Sequence, residues 1–400
     1  MGPGPAEGLS RETAEPASPG REHLVFFGLR PWRDLARYGF FRTAGATFGC
    51  LFRSGRFASV TYVHLERRWG VRVDVEEIGD HALALGLPAG LPLGRFTVVR
   101  RLDRRLQTRL LARHLARFGG QARLFWLHDW EQIEIAGRLG PGRLLIECQD
   151  DPRQVLAGYR SRLREIPANR AAALARADLV AAVDASLLEE VSDGSARFVL
   201  APNGLSGELL EAGSRSWPEP AELADRPHPR LVVVAGEWSF ERRVDHELLG
   251  AVMDRLAGWT LVLVGVPGSP GRSLARLVDR PDVVALGVRP YLDLAPLLRA
   301  CDVGAVPYRE PGRRDVLKTY EYLACGLPVV ATFDEPRPEL APWVEMAAGR
   351  EAFAAGCAAL ARKGLSHPEQ LRTFLDECTW ERRTRGLLAA LDALHPPGPR

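Results

Sequence analysis

The chain has 400 residues, enough for two or three domains with separate hydrophobic cores. Its 46% hydrophobic and 26% charged composition is that of a globular protein, and a net charge of +3 is too small to argue for nucleic acid. No window carries the roughly 18 consecutive apolar residues of a membrane span.

The first 22 residues, MGPGPAEGLSRETAEPASPGRE, are rich in Gly, Pro, Glu and Ser. They lack the apolar centre of a signal peptide and read as a disordered leader, so the expected location is the cytoplasm. From His23 onward, short apolar runs alternate with amphipathic stretches. HLVFFGL, SVTYVHL, ARLFWLHD, RLLIECQD, DLVAAVD and RFVLAPNG are strand-like, and most end in Gly, Asp or Asn. Helical stretches such as LDRRLQTRLLARHLARFGG and ANRAAALARADL lie between them. Strands that are apolar throughout, alternating with helices, predict a buried parallel sheet over residues 23–210. The Pro-, Ser- and Glu-rich segment 211–230 predicts an interdomain linker.

The alternation then restarts over 231–376. LVVVAG, TLVLVGV, DVVALG, VGAVPY and LPVVAT are predicted strands. DHELLGAVMDRLAG, YLDLAPLLRAC and KTYEYLACG are predicted helices, the last stopped by Gly326. A final helix is expected over 377–396. Each half thus predicts a doubly wound α/β domain, whose ligands bind beyond the carboxyl ends of the strands. The six cysteines are scattered, without disulfide or zinc spacing, and read as buried thiols.

Lysine occurs only at Lys318 and Lys363, in a chain with 53 basic residues. Lys318 therefore reads as a specific choice. It falls in Asp315–Thr332, DVLKTYEYLACGLPVVAT. Lys318 and Glu321 lie about one turn apart on one helix face. A helix N-terminus offers unpaired N–H groups to a phosphate, and Lys318 adds a mobile charge there. Glu321 can accept two hydroxyl hydrogen bonds, as from a ribose. An ordinary surface Lys–Glu pair explains the same pattern.

This segment resembles the K-x-Y-E-Y-L-A-x-G-x-P-V-V signature of bacterial glycosyltransferases of family 4 and its relatives. DVVALGVRPYLDLAPLLRACDVGAVPY, RADLVAAVDASLLEEV, FVLAPNGL and TWERRTRGLL resemble other parts of that family in its order, over roughly residues 23–396. The resemblance implies the GT-B fold of two facing Rossmann-like domains, with the last helix crossing back onto the first. It implies a retaining transfer from a nucleoside-diphosphate sugar to a hydroxyl acceptor, with no cofactor and no metal.

By that resemblance Glu321 binds the donor ribose. Lys318 and either Arg242 or Arg243 approach the diphosphate, and Lys318 and Arg243 serve catalysis. Gly236, Gly265, Gly287 and Tyr320 complete the donor set, although Tyr320, with Tyr322, also reads as packing away from that face. His128, in LFWLHDWEQ, would face the transferred sugar, though a core histidine is the plainer reading. Gly28, Asp129 and Asp150 would lie on the acceptor side, where Asp150 and Asp151 also read as turn caps. Two positions depart from the family: Glu237 stands where an arginine is usual, and Arg313 where a glutamate is usual. Two other readings follow from these features: a nucleotide-sugar epimerase of the same fold, and a non-catalytic nucleotide-sugar-binding protein. The basic stretch VVRRLDRRLQTRLLARHLARF suits either an anionic membrane surface or a solvated helix face.

Overall fold

The structure, a computed structural model, describes residues 22–38, 43–66, 70–90, 96–119, 121–149, 160–309, 315–332 and 337–394. It divides into two units, 1–202 with 383–400, and 203–382.

The first unit carries strands β1 (Glu22–Phe27), β2 (Ser59–Leu65), β3 (Asp74–Gly79), β4 (Ala82–Leu87), β5 (Ala122–Leu127), β6 (Arg143–Cys148), β7 (Leu179–Ala182) and β8 (Phe198–Leu200). They form one sheet in the order β3-β4-β2-β1-β5-β6-β7-β8. All pairings are parallel except β3 with β4. Its helices include α1 (Trp32–Tyr38), α2 (Thr43–Arg53), α3 (Thr97–Leu115), α4 (Ile133–Ala136), α5 (Arg160–Leu163), α6 (Ile166–Arg176) and α7 (Ala185–Val191).

The apolar strands of this unit are buried on both faces, which is why their sequences do not alternate. Leu24 and Phe26 of β1 join a core with Phe48 of α2 and with Leu387 and Leu391 of the last helix. Val25 and Phe27 face the opposite core, with Leu111 and Leu115 of α3 and Ile133 of α4. The β3–β4 hairpin was not expected. Its turn, Asp80–His81, lacks glycine, and His81 itself takes the left-handed conformation at φ 58°.

The second unit carries α8 (Gly207–Gly213), β9 (Arg230–Val234), α9 (Glu237–Arg242), α10 (His246–Met253), β10 (Thr260–Val264), α11 (Arg272–Val278), β11 (Val283–Leu286), α12 (Leu294–Arg299), β12 (Val303–Val306), α13 (Leu317–Ala324), β13 (Val329–Ala331), β14 (Val344–Met346), α14 (Arg350–Lys363) and α15 (Pro368–Glu377). Its parallel sheet runs β11-β10-β9-β12-β13-β14. The chain starts at β9, winds one way through β10 and β11, and then the other way through β12 to β14. α13 ends as expected, with Gly326 just past it at φ 80°.

The segment 211–230 is not a spacer. Leu223 is fully buried. Arg230 is itself buried, and its guanidinium donates to the carbonyls of Leu223, Arg226 and Ala300. These bonds fold the segment into the second unit, and the chain changes unit at 202–203 instead. The last helix, α16 (Trp380–Leu394), contributes its residues from 383 onward to the first unit. The six cysteines are buried free thiols. Among the described residues no helix is long and apolar enough to cross a membrane.

Candidate functional site

In an open α/β sheet, ligands collect where the strand order reverses. In the second unit that point lies between β9 and β12. The segments leaving these strands carry α9 and α13, and with them most of the expected donor residues.

α13 begins without a side-chain cap at Val316, so its first N–H groups keep the partial positive charge that suits an anion. Lys318 and Glu321 are both buried, and Lys318 Nζ donates to Glu321 Oε2. The two residues share a helix face, as their spacing requires. An ion pair this deep is costly to form from solvated charges. It holds a carboxylate and an ammonium beside the open helix end.

The start of α13 is fixed by residues that sequence pattern did not single out. Asp315, also buried, accepts the Tyr320 hydroxyl on Oδ1 and the Asn203 backbone N–H on Oδ2. Asn203 Nδ2 donates back to the Asp315 carbonyl at 2.8 Å. Tyr320 therefore packs and anchors: its ring is fully buried, and Arg337 donates to its hydroxyl at 3.2 Å. This is the packing reading of Tyr320. Tyr322 holds the other side of the helix, accepting the Val234 N–H at 2.7 Å from the end of β9.

Gly236 opens α9, whose last residue is Arg242. Arg242 is exposed, whereas Arg243 is half-buried. The Arg243 carbonyl accepts the Arg309 N–H at 2.8 Å, and Asp245 N–H donates to the Pro307 carbonyl at 2.8 Å. These bonds place the end of α9 beside the segment that follows β12. Gly265 sits where β10 ends, at φ 99°, and a Cβ there would lie 1.9 Å from the Ala235 carbonyl oxygen. Only glycine allows this approach. The Gly265 N–H also donates to the Gly287 carbonyl at 3.2 Å. The structure thus brings Gly236, Gly265 and Gly287 to one edge. Arg313 lies outside the described residues, as do Asp150 and Asp151; of Glu237 only the backbone is described.

The first unit reverses its strand order between β1 and β5. Gly28 follows β1 and His128 follows β5, so both expected residues flank that point. Gly28 is packed against Tyr62, whose hydroxyl would lie 1.9 Å from any Cβ. His128 does not present a free ring. Its Nδ1 donates to the Phe27 carbonyl at 3.1 Å, and its ring lies against Phe26. Nε2 lies 3.3 Å from Glu147 Oε1, and neither side chain has exposed surface. This is the core-histidine reading. Asp129 caps the turn Trp130–Gln132 in a capping box, and burial raises its carboxyl above the ordinary range.

Glu147 is the centre of a buried network. Trp126 Nε1 donates to it at 2.6 Å and Arg383 Nη2 at 2.6 Å. Burial pushes this carboxyl up, but Arg383 and His128 outweigh it and hold it well below the carboxylate range. A charge inside the apolar run RLLIEC was the available signal.

A second cluster lies where β2 ends. His64 Nε2 donates to Glu66 Oε1 at 2.9 Å, and Arg33 donates to Oε2 at 2.8 Å. Trp32, Glu76 and Gly86 complete a small cavity around them. Burial lowers the His64 value although Glu66 pulls the other way, which favours the neutral ring. Its spacing, V-H-L-E, puts both groups on one strand face. Among the described residues no cluster of three or more His, Cys, Asp or Glu is arranged to hold a metal ion.

Residues 229–363 match the family described as Glycosyl transferases group 1. No curated protein sequence matches the chain. Among solved structures, sucrose-phosphate synthase from Thermosynechococcus elongatus is similar at a TM-score of 0.66 and 15% identity, covering 93% of this chain and 99% of that one. The structure described as "Trehalose-6-phosphate from E. coli bound with UDP-2-fluoro glucose" is similar at 0.65 and 12%, covering 94% and 100%. A UDP-N-acetylglucosamine 2-epimerase is similar at 0.53 and 12%, covering 94% and 98%. These likenesses show the GT-B fold.

Proposed function

We propose that this chain, a glycosyltransferase with the GT-B fold, moves a glycosyl group from a nucleoside-diphosphate sugar to a hydroxyl on a glycan, a lipid-linked sugar or a natural product. The observation that carries the reading is the buried Lys318–Glu321 pair beside the uncapped start of α13, at the strand-order reversal of the unit that matches the glycosyl transferase family. The K-x-Y-E-Y-L-A signature supports placing the chain with family 4 and its relatives.

The chemistry follows from charge. As the glycosyl bond breaks, negative charge builds on the departing diphosphate. Preorganised donors aimed at that charge lower the barrier. Lys318 and the N–H groups of α13 are such donors, and one arginine of the 242–243 pair adds a third. Glu321 accepts the ribose hydroxyls and in doing so orients the donor. This set stabilises the leaving group with no metal and no strong side-chain base, which suits transfer with retention of configuration. On the acceptor side, the His64–Glu66–Arg33 cluster offers a carboxylate and a neutral ring to hydroxyls. Peripheral contact with an anionic membrane surface, through the arginine-rich face of α3, fits a lipid-linked acceptor.

The test is incubation with a panel of uridine, guanosine and adenosine diphosphate sugars and candidate acceptors, read by proton NMR of the sugar products. A new glycoside of the donor's own anomeric configuration supports the proposal. An epimerised sugar with no glycoside assigns the epimerase chemistry instead. Nucleotide binding without turnover assigns the non-catalytic reading.

A further inference from the structure

Four of the six arginines of α3 come in two pairs, Arg100–Arg101 and Arg104–Arg105, four residues apart. Helical geometry splits them into two rows about 100° apart. The first row is neutralised within the fold. Arg100 pairs with Glu165 at 2.8 Å, and Arg104 lies 3.6 Å from Glu131, which Arg162 also holds. The second row is less so, although the Arg101 charge also acts on Glu165. Among the described residues Arg101 and Arg105 make no hydrogen bond or ion pair, and both are exposed.

That second row borders a cavity of about 320 Å3 between α3, α4 and α6, large enough for a small ligand. Arg138, just past α4, also lines it and donates one bond to the Glu134 carbonyl. The two carboxylates in the wall are already engaged. Arg100 holds Glu165, and Asn169 donates to Glu134 at 3.1 Å. Three guanidiniums and two carboxylates therefore line one concavity, and one of those carboxylates, Glu165, is paired with Arg100. The planar fork of arginine matches phosphate oxygens.

We infer that this cavity is a second binding site, in the first unit alone, for a phosphate-bearing anion. Arg101 and Arg105 grip it from one helix and Arg138 adds a third guanidinium. The shared chemistry is a phosphoryl group, which a soluble phosphorylated compound or a lipid headgroup supplies.

Pyrophosphate is the probe, with binding to the full chain measured by equilibrium dialysis. The wild type, the double variant Arg101→Ala/Arg105→Ala, and Lys318→Ala are compared. Besides binding at the donor site, the proposal expects a separate binding event that survives in Lys318→Ala and is weakened in the double variant by about tenfold to a hundredfold. The unliganded melting temperature should move little, because both arginines are exposed and neither makes a hydrogen bond among the described residues. Sedimentation with phosphatidylcholine vesicles containing phosphatidylglycerol then separates the sources. Loss of pyrophosphate and vesicle binding together supports the site and assigns a lipid headgroup. Loss of pyrophosphate binding alone supports it and assigns a soluble ligand. Equal pyrophosphate isotherms for wild type and double variant overturn it, as does an isotherm that only Lys318→Ala abolishes.

Discussion

Replacing Arg383 with leucine tests the buried network of the first unit. Arg383 is 6% exposed and Glu147 is not exposed at all. The substitution strands the Glu147 charge among Trp126, His128 and apolar strands, and it removes the bonds from Arg383 to the carbonyls of Ala201 and Pro202. Breaking a buried pair costs about 3–5 kcal/mol, and each of the two lost bonds to carbonyls about 1 kcal/mol, so the expected loss is about 5–7 kcal/mol. Urea unfolding, followed by circular dichroism, measures it. The pH dependence has a definite sign. A carboxyl held low in the fold contributes stability above its unfolded value, and that stability is lost as pH falls toward the folded value. Without Arg383 the same buried carboxyl is pushed up. The gap between wild type and variant therefore narrows as pH falls from 7 through about 4. Glu147→Gln should cost less, because an amide still accepts from Trp126. Combined with Arg383→Leu it should recover about 2 kcal/mol relative to the sum of the single losses. Strictly additive losses would refute the coupling, and a gap that widens in acid would refute the charge assignment.

Three further outcomes are expected. Burial, with Arg123 adding to it, lowers His23 to about 3, and Ser59 and Thr61 surround its ring. Stability should therefore fall by about 1.4 kcal/mol per pH unit from this residue between about 6.5 and 3, and an NMR titration should show a neutral ring down to about pH 4. Gly265→Ala drives a Cβ into the Ala235 carbonyl at positive φ, and should cost at least about 2 kcal/mol in chemical denaturation. Tyr320→Phe removes a donor from Asp315. It should lower stability by about 1–2 kcal/mol while leaving nucleotide affinity within about threefold in calorimetry.

The sequence carried those features whose cause is local. Strand and helix alternation, the stop at Gly326 and the shared face of Lys318 and Glu321 follow from spacing alone. The features that escaped it depend on partners far along the chain. Asn203 reaches Asp315 across 112 residues, and Arg383 reaches Glu147 across 236. The Pro-rich segment read as a linker because composition does not reveal that Arg230 binds its carbonyls. His128 stands at the expected strand end, but the direction of its ring depends on the Phe27 carbonyl and Glu147. The β3–β4 hairpin escaped because His81, not glycine, takes the left-handed turn position. Tyr320 falls within the signature and its spacing read as packing, but that its hydroxyl reaches Asp315 needs the fold.

The most direct test of the donor site is thermal stabilisation of the wild type, Lys318→Ala and Glu321→Ala by uridine, guanosine and adenosine diphosphates. A nucleotide at 100 times its dissociation constant should stabilise the wild type by about 2.7 kcal/mol. The account predicts such a shift with one of the three nucleotides, strongly reduced in both variants. No shift with any of them, or an equal shift in all three proteins, would contradict it.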